Sequence, residues 1–242
     1  MTVRTKTASD FVPPLAGCVL VVLFTSLGFW QLDRAEQKRA VEAAFDKPGE
    51  YLPVAPGNEY GLYQPLTASG RYLSERQFLL DNMILDGRVG YFVVTPFEYE
   101  SGKPLLLVNR GWVAKTTPAE IAATIASETP DSETAPPTAV KGRAGQLPRV
   151  GIRAGEAFAG DMDWPRTANW PTLDELARAL DRDVLPFVLL ADPEPGNALV
   201  RRWQPRHVGP MRHIGYAVQW FALAAGVVVL ALFLYRQRRA KQ

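Results

Sequence analysis

Two long uncharged apolar runs, one near each end of the chain, constrain the fold of this sequence more than any other feature. No charged residue lies between Asp10 and Asp33, and none lies between His213 and Arg236. Each run has about 22 residues, which as an α-helix would span roughly 33 Å and cross the hydrocarbon core of a bilayer. The sequence therefore predicts two transmembrane helices that flank one extramembrane segment.

A cleaved signal peptide is the alternative interpretation of the first run, with Arg4 and Lys6 as its basic start. The run ends in the bulky and charged sequence FWQLDR at 29–34, which lacks the small residues that precede a cleavage site. We therefore favour an uncleaved membrane anchor.

The charges that flank the runs predict the orientation. The C-terminal tail carries four basic residues and no acid, and positive charge in short flanking segments marks the cytoplasmic side, whereas a long domain translocates largely regardless of its charge. We expect a bacterial inner membrane, because only two basic residues precede the first run and leave no room for a mitochondrial transit peptide. The predicted segments are a cytoplasmic tail at 1–11, a transmembrane helix at 12–32, a periplasmic β-rich domain at 33–213, a transmembrane helix at 214–235 and a cytoplasmic tail at 236–242.

Composition excludes several classes of protein. The tails hold six of the 27 basic residues and one of the 25 acidic residues, so the segment between the helices is slightly acidic and unlike a nucleic-acid-binding surface. Cys18 is the only cysteine, which excludes a disulfide framework and a thiolate zinc site. Nucleophile-elbow, zinc-protease and P-loop motifs are absent from the sequence, so we do not expect an enzyme.

The extramembrane segment has the pattern of short strands separated by turns, with Asp86-Gly87 as a tight hairpin signal. Two capping boxes, Thr117 with Glu120 and Thr172 with Glu175, predict short helices that end near Ser127 and Leu180. Strands are predicted at 66–72, 77–85, 89–97, 105–113, 139–147, 184–191 and 199–204, an amphipathic extension of the first helix at 34–45, and an exposed proline-rich linker at 129–137.

These patterns predict an α+β membrane protein. Its two transmembrane helices would flank a periplasmic antiparallel β domain that contains two short helices. A small barrel or a sandwich is expected, because either architecture limits exposed strand edges.

The start of the second apolar run contains the best candidate for a chemical site. In a helix His213, Tyr216, Ala217, Trp220 and Ala224 fall on one face. An imidazole there could ligate a haem iron, and the small alanines would let a flat macrocycle or a second helix approach. Cations for the haem propionates would come from the arginines nearby, namely Arg206, Arg212 and Arg202.

The same residues are also typical of an aromatic belt at a membrane interface, where tyrosine, tryptophan and flanking cations need no ligand. Gln219 lies deeper in the run, and we expect Thr25 or Ser26 of the first helix to be its hydrogen-bond partner. Asn109-Arg110-Gly111-Trp112 is interpreted as structural, with a partner-binding arginine as the alternative.

Several short strings, taken in order, resemble the surfeit locus protein 1 family of cytochrome c oxidase assembly factors. The strings are LGFWQLDR (27–34), GRYL (70–73), FLLDNMILDGRVGYFVVTPF (78–97), LLVNRGWV (106–113), VRRWQP (200–205) and RHIGYAVQWFALA (212–224).

The resemblance implies a two-helix membrane protein that assists the insertion of haem a into the oxidase main subunit. It implies haem a as a transiently bound cofactor and His213 as the candidate iron ligand. The residue pattern described above adds Arg212, Tyr216 and Trp220 as candidate cofactor-binding residues. The expected partners are the oxidase main subunit, haem a synthase and the lipid bilayer. Two alternatives stay open, a cofactor-free scaffold for oxidase assembly and a membrane-anchored haem-processing enzyme.

Overall fold

The computed structural model describes residues 12–46, 49–128, 137–151, 153, 155–158, 163–203 and 209–240. The chain divides into two compact units, a helical unit made of Met1–Asp46 with Pro205–Gln242 and a β unit made of Lys47–Gln204. Among the described residues the helices are α1 (Val12–Asp46), α2 (Pro118–Ser127), α3 (Leu173–Leu180) and α4 (Pro210–Ala240). The strands described are β1 (Leu52–Pro53), β2 (Pro65–Tyr72), β3 (Phe78–Leu85), β4 (Arg88–Glu98), β5 (Leu105–Ala114), β6 (Thr138–Gly145), β7 (Arg166–Ala168) and β8 (Val184–Ala191).

The helical unit consists of the two apolar helices predicted from the sequence. Both α1 and α4 are long and apolar enough to cross a membrane, and only 6% and 11% of their apolar stretches are buried within the structure. A core helix of a soluble protein would bury most of such a stretch. Helix α1 continues without a break to Asp46, which confirms the predicted extension over 34–45.

Local sequence signals account for most elements of the β unit. The two capping boxes form as predicted, and α2 and α3 begin directly after Thr117 and Thr172. The β3–β4 hairpin turns at Asp86 and Gly87, whose φ angles of 50° and 76° are both positive, as a two-residue type I′ turn requires. Strands β3, β4 and β5 then pair antiparallel in sequence order, as the predicted meander does.

Five of the strands close into a barrel. Strand β2 pairs with β6, β6 with β8, β8 with β5, β5 with β4, and the C-terminal end of β4 returns to β2 through Arg71↔Glu98 and Tyr72↔Phe97. This ring order, with α2 between its third and fourth strands, is that of an OB-type Greek-key barrel. A barrel is thus confirmed over a sandwich. The topology alone assigns no function, because one fold hosts many activities.

Two details of the predicted β domain were wrong. The sheet is mixed and not purely antiparallel, since β5 pairs parallel with β8, β1 with β2, and β3 with β7. The parallel β5–β8 pair follows from the long crossover through α2, β6 and α3. The predicted strand at 199–204 is, in its described part, a single bridge between Val200 and Trp112.

Strand β5 lies at the centre of the β unit and is buried on both faces. Alternate residues of β5 contribute to two apolar clusters, with Leu105 and Leu107 in one and Leu106 and Val108 in the other. A third cluster lies where α2 packs its buried isoleucines, Ile121 and Ile125. A strand without a solvent face needs a near-continuous apolar run, which explains the sequence LLLV at its start.

Some predicted features lie outside the described residues. They are the N-terminal tail at 1–11, residues 129–136 of the proline-rich linker, Gln204, and Arg206 and His207 of the segment before α4.

Candidate functional site

His213 and Gln31 form a hydrogen bond that joins the two long helices. His213 lies in the first turn of α4, Gln31 lies in α1, and the distance from His213 Nδ1 to Gln31 Oε1 is 2.8 Å. Because an amide oxygen only accepts, this contact fits the tautomer in which Nδ1 carries the proton. In the neutral ring Nε2 then has a free lone pair, and no described residue forms a hydrogen bond with it.

Small residues position this pair by letting the helices approach closely. Gly28 of α1 and Ala217 and Ala224 of α4 are buried between the helices. Gly28 lies one turn before Gln31, and Ala217 lies one turn after His213. Both polar side chains therefore project from the contacting faces of their helices.

Two pairs of aromatic rings also make contacts between the helices. Trp220 stacks on Phe24 with ring centroids 5.7 Å apart, and Phe221 meets Phe29 edge to face at 5.4 Å. Gln31 meets His213, Phe24 meets Trp220, and Gly17 lies near Val227. Positions fall along α1 as they rise along α4, so the two helices are antiparallel. Of the two partners that the sequence allowed for Ala217 and Ala224, a macrocycle or a second helix, the structure supplies the second helix.

The predicted site residues separate into two pairs. His213 and Trp220 turn towards α1, whereas Arg212 is exposed and Tyr216 keeps 47% of its surface exposed. Tyr216 is thus not part of the buried face on which the helical periodicity placed it. The guanidinium of Arg212 has no ion-pair partner among the described residues, which leaves it available to an anion.

The predicted partnership of Gln219 is wrong. Gln219 is exposed on α4, and Ser26 donates its hydroxyl hydrogen bond within α1, to the carbonyl of Val22 at 2.8 Å. The amide that does cross between the helices is Gln31. Gln31 could have been noticed in the sequence as a polar amide within an apolar run. The sequence did not indicate that its partner would be His213.

The β unit contains a second polar group, which sequence patterns did not reveal. Arg201 pairs with Glu128 at 2.9 Å, and both side chains are nearly buried. Arg110 is 1% exposed, lies 5.2 Å from the centre of the Tyr72 ring, and has its backbone carbonyl hydrogen-bonded by Arg201. Burial lowers the pKa of Arg110 and raises that of Tyr72. Burial favours the structural interpretation of Arg110 over a partner-binding one.

Arg202, which was a candidate partner for a propionate, has another contact in the structure. Its guanidinium pairs with Asp86 at the tip of the β3–β4 hairpin at 3.0 Å, and both side chains are more than half exposed. An exposed pair of this kind contributes little energy.

The arrangement in the helical unit has features that an axial haem ligand could use. Histidine that binds a metal usually donates its other ring N–H to a neighbouring acceptor, which orients the ring and raises the basicity of the binding nitrogen. Gln31 supplies that acceptor, Nε2 supplies the lone pair, and Arg212 supplies an available cation one residue away.

Comparisons with known proteins agree with the motifs. The model of the SURF1 family matches residues 18–225. A SURF1-like protein of Monosiga brevicollis is 25% identical over 91% of this chain and 85% of its own length, and one of Rickettsia felis is 26% identical over 90% and 96%. A SURF1-like protein of Drosophila melanogaster is 28% identical over 43% of this chain and 42% of its own length.

The family match extends from α1 through the whole β unit into α4. It therefore includes Gln31 and His213 as well as the barrel. SURF1 proteins are known as cytochrome oxidase assembly factors and not as enzymes. The two apolar helices and the bacterial relatives together indicate a membrane protein. With most of its length matched, this chain belongs to the SURF1 family.

Proposed function

We propose that this protein assists cytochrome c oxidase assembly by binding haem a transiently and passing it to the oxidase main subunit. The observation that carries the proposal is the hydrogen bond from His213 Nδ1 to Gln31 Oε1, which leaves Nε2 as the coordinating nitrogen. Family membership supports the assembly role, and the chemistry of this pair supports the cofactor.

The surroundings of His213 suit a cargo that must also leave. The exposed guanidinium of Arg212 suits a propionate. Tyr216, which is half exposed, would offer an aromatic surface to the macrocycle. Trp220 lies against Phe24 within the helix pair, and its role would be to hold the α4 face in place rather than to cover the macrocycle.

The proposed location follows from the same helices. Both would span the inner membrane of a bacterium, with the β unit in the periplasm and both termini in the cytoplasm. The haem would be bound where α4 enters the bilayer, with haem a synthase as the source and the oxidase main subunit as the acceptor.

Absorbance spectroscopy of protein purified from haem a-producing cells tests the proposal. We expect a Soret band in the wild type that His213→Ala abolishes or shifts, while the variant keeps its wild-type amount in the membrane. His207→Ala replaces the only other histidine in the sequence and is the matched control. An unchanged spectrum in His213→Ala, or no band in the wild type, would refute haem binding through His213.

A cofactor-free scaffold is the second candidate. The observation that favours it is the filled interface between α1 and α4, in which Ala217, Ala224 and Trp220 all contact the partner helix and need no ligand. Under this alternative, loss of the protein would reduce oxidase assembly although no haem is bound. Under both alternatives, quinol oxidases that lack haem a should be unaffected.

Haem turnover by the purified protein would support a processing enzyme instead.

A further inference from the structure

The residue that contacts His213 is a neutral amide, where many metal-binding histidines meet a carboxylate. Gln31 and His213 are both partly buried, and each neighbours a buried small residue of its own helix, Gly28 and Ala217 respectively. Close packing of the helices limits the positions that the Gln31 side chain can take. The amide oxygen is therefore held at 2.8 Å from Nδ1 by the fold itself.

We propose that Gln31 is a positioning residue that makes Nε2 of His213 the haem-binding nitrogen and keeps that ligand weak enough for the haem to be released. The inference rests on the proposed haem-binding function and deepens it. It assigns a role to a residue of α1, whereas the ligand itself belongs to α4.

The physical reason lies in what each acceptor does to the imidazole. A carboxylate at Nδ1–H draws the proton strongly, gives the ring imidazolate character and strengthens the iron–nitrogen bond. An amide oxygen is uncharged and polarises the ring less. A site that carries a cargo needs an oriented ligand of moderate strength, and the Gln31 amide supplies both properties.

Variants of Gln31 with opposite effects on the imidazole test the inference in the full-length protein in detergent. Gln31→Leu removes the acceptor, and Gln31→Glu replaces it with a charged one. The probe is haem a, titrated into the haem-free protein, and the readouts are affinity, reduction potential and the rate of haem loss to apomyoglobin. Gln37→Leu is the matched control on the same helix, because Gln37 hydrogen-bonds only to Asp33 and Arg34 among the described residues.

We expect Gln31→Leu to bind haem a about 10- to 100-fold more weakly, with a raised reduction potential. Gln31→Glu should bind more tightly, release haem more slowly and have a lowered reduction potential, since a more basic ligand stabilises ferric iron. Gln37→Leu should match the wild type. Shifts of opposite sign in affinity and reduction potential would not arise from a merely structural contact. If Gln31→Leu fails to fold, Gln31→Glu still tests the inference, because it preserves a hydrogen bond to His213.

Two results would overturn the inference and can be told apart. In the first, His213→Ala abolishes haem binding, but both Gln31 variants keep the wild-type affinity and reduction potential or shift them in the same direction. His213 would then be the ligand, and Gln31 would not tune it. If His213→Ala leaves haem binding unchanged, the proposed ligand and the inference about Gln31 both fail.

Discussion

Gly28 of α1 and Phe221 of α4 are so close that a Cβ on Gly28 would lie 2.5 Å from Cε1 of the phenylalanine ring. Three atoms of that ring lie within 2.9 Å of the Cβ position, and a ring moves only as a whole. The absence of a side chain at position 28 therefore sets how closely the two helices approach. Gln31 lies one turn away, so the same contact helps to hold the His213 hydrogen bond.

Replacing Gly28 should separate the helices. We expect Gly28→Ala to destabilise the helix pair by about 1–3 kcal/mol through overpacking against Phe221. Thermal unfolding in detergent, followed by tryptophan fluorescence, measures the effect. The control is Gly17→Ala, where the nearest neighbouring atom would be 4.0 Å away and higher helix propensity should leave stability equal or greater. Equal melting of the two variants would show that the Gly28–Phe221 contact does not limit the approach of the helices.

The neighbouring arginines Arg201 and Arg202 should differ sharply in importance. Arg201 pairs with Glu128 where the side chains are 11% and 8% exposed, so Arg201→Met should leave a buried carboxylate unpaired and cost about 3–5 kcal/mol. Arg202 pairs with Asp86 at 54% and 63% exposure, and Arg202→Met should cost no more than about 1 kcal/mol. Denaturant unfolding of both variants makes the comparison. Removing Glu128 together with Arg201 should recover part of the loss, and no recovery would argue against direct pairing.

Glu175 should make the stability of the β unit depend on acid pH. The two hydrogen bonds from the Arg153 guanidinium, at 2.6 and 2.8 Å, and those from Thr172 lower its pKa from 4.5 to about 2. Because the folded-state pKa is the lower one, this contribution is fully present above pH 4.5 and is lost as the pH falls towards 2.

We therefore expect Glu175→Gln, which keeps the capping geometry of α3, to flatten the pH dependence of unfolding between pH 4.5 and 2 by up to about one bound proton. Equilibrium unfolding of both proteins at several pH values measures the slopes. Glu120→Gln replaces the matching residue of the other capping box, at α2. Glu120 has no arginine partner among the described residues, so this variant should flatten the slope less. Identical slopes for wild type and Glu175→Gln would exclude this ion pair as the source.

The proposed topology can be tested with single cysteines in a Cys18→Ser background. A cysteine at Ser132, in the proline-rich linker, should react with an impermeant thiol reagent in intact spheroplasts, because the domain is expected in the periplasm. A cysteine at Gln242 should react only after the membrane is permeabilised. The reverse labelling pattern would invert the topology, and labelling of both sites in intact spheroplasts would contradict a cytoplasmic C-terminus.

Signals that act over a few residues predicted their structures well. The capping boxes at Thr117 and Thr172, the Asp86-Gly87 turn and the apolar runs that form the strands depend on the chain within a few residues. The same holds for the two apolar helices, since their length and lack of charge are properties of the chain alone. These features, together with family motifs spread along the chain, were therefore accessible from the sequence by itself.

Pairings between distant segments were decided only by the tertiary structure. Closure of β4 onto β2, the parallel pairing of β5 with β8, and the Arg201–Glu128 pair join segments that no local pattern relates. Within the candidate site the sequence indicated His213, but its partner Gln31 is 182 residues away. A helical face specifies which side chains point together, and only the packing of a second helix against that face determines what they meet.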